Sequence, residues 1–294
     1  MKKVLVGIFI LALLVLAGCG KTDTANDKGV KPEQEELMNQ YQVLINENKP
    51  VRELTSFIVS NETILSRENM DKAVIDLIEV AQTRLKDYED KIFSPEINIP
   101  LNNYKYEDLA QLQNIKEEDI KNLLQEAFNN GYKLAASEGM YYLEIDYDKM
   151  LKDFGGHTSD EVAGFLEIMA AEGDKHFASD AALTISLDEL ANRIVKTEKY
   201  IETYPDFALA QQVKQYHGWY LKAYLLGLNN TPLFDYQTEK AKDKFLESYE
   251  TTINSQKGTK LAGIMEEYLA LLKKYDYARS DEIMVFTDRM TAEN

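Results

Sequence analysis

Cysteine is almost missing from this sequence: Cys19 is the only one in 294 residues. Without a second thiol the chain has no internal disulfide, so its stability must come from a hydrophobic core. With 45% apolar residues there is enough material to build one. Histidine is nearly as scarce, and His157, His176 and His217 are too few for a multi-histidine metal centre, so no cofactor is expected. Basic charge is in deficit, with 33 lysines and arginines against 50 acids and a net charge of −17. That excludes nucleic acid as an expected partner, because phosphates reward a basic face. A glycine-rich phosphate loop, a glycine-x-serine-x-glycine elbow and a calcium loop are all lacking. These absences point to a binding or scaffolding module rather than an enzyme.

What is present begins with the N-terminus. Lys2 and Lys3 precede an uncharged apolar run over 4–16, shorter than the roughly 20 residues that a membrane-spanning helix needs. The run ends in Leu16-Ala17-Gly18-Cys19, which resembles the lipobox of bacterial lipoproteins. The resemblance implies a signal peptide over 1–18, diacylglycerol on the Cys19 sulfur, cleavage before it, and a mature domain lipid-anchored to the extracytoplasmic face of the cell membrane. Removing 1–18 takes away two lysines and no acid, leaving 31 basic against 50 acidic residues and a net charge of −19. Residues 19–34 are polar and lack apolar periodicity, so they read as a flexible tether ahead of one domain over 35–294.

Within that domain the periodicity is mainly helical, and the expected fold is an irregular helical bundle, or a short stack of helical hairpins, with a small β-hairpin. Leu37, Tyr41 and Leu44 share a helix face before Pro50, and Met70, Val74, Leu77, Ala81, Leu85 and Tyr88 form a longer stripe. Between 93 and 113, Pro95, Pro100 and Asn102-Asn103 break any helix or central strand; a connection this long is either functional or hides an element. Ile120, Leu123, Leu124, Ala127 and Phe128 then mark a helix that Asn129-Asn130-Gly131 stops. Alternation over 132–146 around Ser137-Glu138-Gly139 predicts a hairpin, with a helix through Gly139 as the alternative.

Further on, Thr158 with Glu161 and Ser186 with Glu189 have capping-box spacing and predict two helix starts. Further helices are expected over 207–228, 236–253 and 259–275. At an offset of 52 residues Ile201, Leu209, Ala210 and Tyr216 meet Ile253, Leu261, Ala262 and Tyr268, as stacked helical pairs would require.

Two places have residues suited to a site. The segment Gly155-Gly156-His157-Thr158-Ser159-Asp160-Glu161 is similar to the glycine-x-histidine-x-x-glutamate motif of imelysin-like proteins, although aspartate stands at the glutamate position and Glu161 comes one place late. The resemblance implies the alternative function, a helical metal-binding protein or metallohydrolase using His157 and nearby carboxylates. The other place is aromatic. Tyr216, His217, Trp219 and Tyr220 lie within two turns of one expected helix, and Trp219 is the only tryptophan. Large rigid rings with polar tips stack on sugars or anchor proteins, so a protein or a cell-wall glycan is the expected partner. If Val213, Tyr216, Tyr220 and Tyr224 are the buried stripe, Trp219 falls at its edge, where it could close a groove against the neighbouring helix expected to begin near Tyr236.

Overall fold

The computed structural model describes residues 27–293, with side chains from 32 to 292; the signal-like run, the lipobox and Cys19 lie outside the described residues. Thirteen helices and three two-stranded antiparallel hairpins make the described fold mainly α. Eight helices come first: α1 (Asp27–Asn46), α2 (Val51–Asn61), α3 (Arg67–Ile92), α4 (Pro95–Leu101), α5 (Tyr106–Ala110), α6 (Glu118–Asn129), then, after the hairpin of β1 (Tyr132–Ser137) and β2 (Met140–Ile145), α7 (Tyr147–Phe154) and α8 (Asp160–Asp174). Two more hairpins, β3 (Ala178–Ser179) with β4 (Ala182–Leu183) and β5 (Gly227–Leu228) with β6 (Thr231–Pro232), punctuate the remaining helices. These are α9 (Leu187–Thr203), α10 (Ala210–Leu226), α11 (Asp243–Ser255), α12 (Lys260–Lys274) and α13 (Asp281–Glu293).

Buried side chains sort into two cores. The first is built around the α3 stripe, where Met70, Val74, Leu77, Ala81 and Tyr88 are buried and Leu85 packs at the edge. The second lies among α10, α11, α12 and α13, around Tyr224, Tyr249 and Tyr268. The antiparallel pair α9 and α10 belongs to both. Tyr200 near the end of α9 and Ala210 and Val213 at the start of α10 enter the first core, whereas Leu190, Ile194, Leu221 and Leu225 enter the second. Tyr216 packs against both.

Local chemistry explains several expected elements. Glu138 and Gly139 both take positive φ (52° and 76°), the geometry of a tight hairpin turn, which pairs Leu134 with Leu143 and Tyr132 with Ile145 on the buried side. The helical alternative through Gly139 is thereby excluded. Gly131 is left-handed (φ 80°) just beyond α6. Ser186 caps α9 by accepting the Glu189 N–H at 3.1 Å, but the Glu189 carboxylate turns to Arg193 and Lys175, so only half of the predicted box forms.

Other expectations are corrected. Helix α1 opens at Asp27, so the segment read as a tether over 19–34 is helical from that residue on. The stretch over 93–113 holds two short helices, because Pro95 occupies the first position of α4, where no N–H is needed, and Pro100 falls in its last turn. Helix α8 is capped by Ser159, not Thr158. The Ser159 hydroxyl accepts the Val162 N–H at 3.4 Å, and its own N–H donates to Asp71 of α3 at 2.8 Å, so the acid completing the cap comes from another helix. Helices α2, α7 and α13 were not expected. The helix expected over 236–253 begins only at Asp243, because the chain before it folds back through a turn over 236–238, with bridges pairing Phe234 with Ala241 and Lys240 with Ala278.

Candidate functional site

Helix α10 presents two faces to two environments. Val213, His217, Tyr220 and Tyr224 face inward and are buried; Tyr216 is half-buried and Trp219 is 46% exposed. The four residues singled out in the sequence therefore do not form one surface. His217 shares a 2.9 Å hydrogen bond with the buried Thr197 hydroxyl, and burial pushes its pKa below the usual histidine range. Burial also pushes the Tyr216 and Tyr220 phenols up.

Trp219 alone faces outward, and it heads a second stripe. Trp219, Lys222, Ala223 and Leu226 recur at three- and four-residue spacing and form one wall of a cavity of about 580 Å³. Phe177, Pro232, Phe234 and Met284 supply further apolar lining, Tyr236 is a second aromatic wall, and Asp235, Glu239, Asn229 and Arg279 stand at the rim. Tyr236 is 74% exposed and its hydroxyl donates to the Asn229 carbonyl at 2.7 Å. The partner of Trp219 across the groove thus comes from the loop before α11 rather than from that helix.

Turns with demanding backbones shape this groove. Gly227 adopts φ 70°, ψ −166°, and a Cβ there would lie 2.2 Å from the Thr231 carbonyl oxygen, so glycine is required. Ala181 and Glu239, both lining residues, also take positive φ (51° and 56°), a conformation that costs free energy and persists where surrounding bonds enforce it. The bonds are present. Asn230 donates its backbone N–H to the Ala181 carbonyl at 2.8 Å, and the Leu183 N–H donates to the Thr231 hydroxyl at 2.9 Å, stitching two hairpins together. The Asp235 carboxylate accepts the Gln237 and Thr238 N–H groups at 3.0 Å each; these bonds, Thr238 first, hold its pKa below the usual carboxylate range. The Arg279 N–H donates to the Glu239 carbonyl at 3.1 Å.

Directly behind the groove runs a polar seam that the sequence did not reveal. The buried Glu172 of α8 accepts from Arg193 of α9 at 2.8 Å, from the Tyr220 hydroxyl at 2.6 Å and from the Phe177 N–H at 3.0 Å. His176 lies between Glu144 of β2, at 3.2 Å, and Glu172, at 3.6 Å. Hydrogen bonds from the ring to Glu144 first, and then to Glu172, raise its pKa to about 9, so it is a cation at neutral pH. Lys133 pairs with Glu144 at 3.3 Å. Phe177 links the two regions: its N–H is held by Glu172, its ring meets Tyr220 edge-on at 5.1 Å, and it lines the groove.

His157 sits in the exposed loop between α7 and α8, with the Glu62 carboxylate at 3.8 Å. Among the described residues no three histidine, cysteine, aspartate or glutamate side chains are grouped to hold a metal ion, and no helix is long and apolar enough to cross a membrane. No family model, curated protein or solved structure matches the chain.

Proposed function

We propose that this chain is an extracytoplasmic binding module, anchored to the cell membrane by lipid on Cys19, whose ligand seats in the groove between Trp219 and Tyr236. The observation that carries the reading is a built cavity: two exposed rings over an apolar floor, a few polar groups at the rim, and turns whose strained residues are locked in place. Ligand sites are concave, mostly apolar and marked by a small number of convergent polar groups. The lipobox-like Leu16-Ala17-Gly18-Cys19 supports the anchor, and the expected partner is a protein or glycan of the cell envelope.

Because Trp219 is the sole tryptophan, indole fluorescence excited beyond the tyrosine absorption band reports on the groove alone. A neutral quencher should reach it in the free protein, and envelope fractions that contain the ligand should shield it. If no glycan or protein fraction changes the quenching, the groove is not the ligand site. The anchor has its own test: labelled fatty acid should enter the wild-type chain and not Cys19→Ser, and labelling of the mutant would refute lipidation at Cys19.

A further inference from the structure

Resting on the reading of the groove as the ligand site, we infer that its ligand is an acidic saccharide, a sugar whose ring stacks on the aromatic wall and whose carboxylate is taken by Lys222 and Arg279. The state of the polar groups carries this furthest. Among the described residues the Lys222 ammonium, the Arg279 guanidinium, the Trp219 indole N–H and the Asn229 amide make no side-chain hydrogen bond or ion pair. The Glu239 carboxylate is likewise unpaired, whereas Asp235 is engaged by Gln237 and Thr238. The free set is therefore rich in donors and poor in acceptors, and the ligand that complements it is rich in acceptor oxygens.

Charge narrows the class further. A chain of net charge −17 repels an anion from most of its surface, whereas the groove lining is balanced, with Lys222 and Arg279 against Asp235 and Glu239, and of the two carboxylates Asp235 is already turned to Gln237 and Thr238; this makes the groove a local exception. The planar guanidinium fork of Arg279 matches a carboxylate in a bidentate manner, and Lys222 adds a mobile point charge. The ring faces of Trp219 and Tyr236 select the rest of the molecule. The C–H face of a pyranose is apolar and slightly positive, so it lies well on a π cloud, while its hydroxyls remain at the edge for Glu239 and Asn229. A purely apolar ligand would leave the rim charges desolvated and unpaired, which is costly.

The test compares three sugars against the full chain in detergent, read by Trp219 fluorescence: N-acetylglucosamine; N-acetylmuramic acid, its 3-O-lactyl ether, which brings a carboxylate; and N-acetylglucosamine 6-phosphate. The carboxylated sugar should bind roughly tenfold or more tightly than the neutral one, as expected for hydrogen bonds to a charged group. That preference should shrink with added salt and vanish in the double variant Lys222→Gln/Arg279→Gln. Both residues are exposed, so the double variant should fold, and a thermal melt verifies it. Equal affinities for the neutral and carboxylated sugars would overturn the acidic part while leaving the groove as the ligand site. Tighter binding of the phosphorylated sugar would overturn the choice of carboxylate. If no sugar perturbs Trp219 while an envelope protein fraction still shields it, the ligand is not a saccharide, and only this inference falls.

Discussion

The seam and the groove use the same kinds of side chain, meet at Phe177, and are in opposite states. In the seam, Glu172, Arg193, His176 and Glu144 are half-buried or buried and each has a charged partner. In the groove, Lys222, Arg279 and Glu239 are exposed and have none among the described residues. Burial accounts for the difference. A charge removed from water needs a partner within the fold, so the seam is complete and contributes to architecture. A charge at a rim stays hydrated until a ligand replaces the water, so incompleteness there costs little stability and leaves recognition capacity. Paired charges therefore mark what holds the two cores in register, and unpaired charges beside exposed rings mark what is open to a partner.

Removing Glu172 would test the seam most severely. Glu172→Ala takes one of two carboxylate partners from Arg193, which keeps Glu189, and leaves the Tyr220 hydroxyl and the Phe177 N–H facing a buried vacancy; denaturant unfolding should show a loss of about 3–5 kcal/mol. A loss under about 1 kcal/mol would mean that water already solvates the seam and that the contrast with the groove is false.

The pH dependence sharpens the comparison with a smaller effect. His176 ordinarily titrates near 6.5 and is raised to about 9 in the fold, so the native state holds the proton more tightly than the unfolded chain. Its contribution is fully present below about 6.5 and is lost as pH rises through about 9. Stability across that window should fall for the wild type and fall less for His176→Gln; parallel curves would remove His176 from the seam.

The smallest effects belong to the groove. Lys222→Gln and Arg279→Gln should each change stability by no more than about 0.5 kcal/mol. Trp219→Ala should cost well under the roughly 3–5 kcal/mol of a buried aromatic, because nearly half of the ring is exposed. A core-sized loss on truncating Trp219 would turn the groove wall into packing and collapse the distinction between the two regions.

Much of the helical frame could be read from the sequence, because stripes such as Met70, Val74, Leu77 and Ala81 are written in local spacing. The β1–β2 hairpin and the Ser186 cap were readable for the same reason. What escaped was decided at a distance. Ser159 rather than Thr158 caps α8 because Asp71, on another helix, reaches its N–H. The seam assembles Glu144, Glu172, His176 and Arg193 from a strand, a helix end, a loop and another helix, and single acids among 50 have no local mark. The exposed edge position of Trp219 followed from helix geometry. The other half of the groove did not, since Gly227, Ala181 and Glu239 act through backbone angles that side-chain periodicity does not encode.

The shared α9–α10 pair bears on the order in which the protein is able to fold. A chain that emerges from its N-terminus presents α1 to α8 and the first hairpin early, yet Tyr200, Phe207, Leu209, Ala210 and Val213 are also part of the first core. One side of that core therefore stays uncovered until α9 has formed and the start of α10 has turned back along it. The portions of α9 and α10 that face the second core, Leu190, Ile194, Leu221 and Leu225, must then wait for α11 and α12. Closure runs in one direction along the molecule, the first half leaving an apolar edge that only later sequence covers, and a chain truncated after Val213 would retain the buried members of the first core, without Tyr216 at its edge, while exposing Leu190 and Ile194 to water.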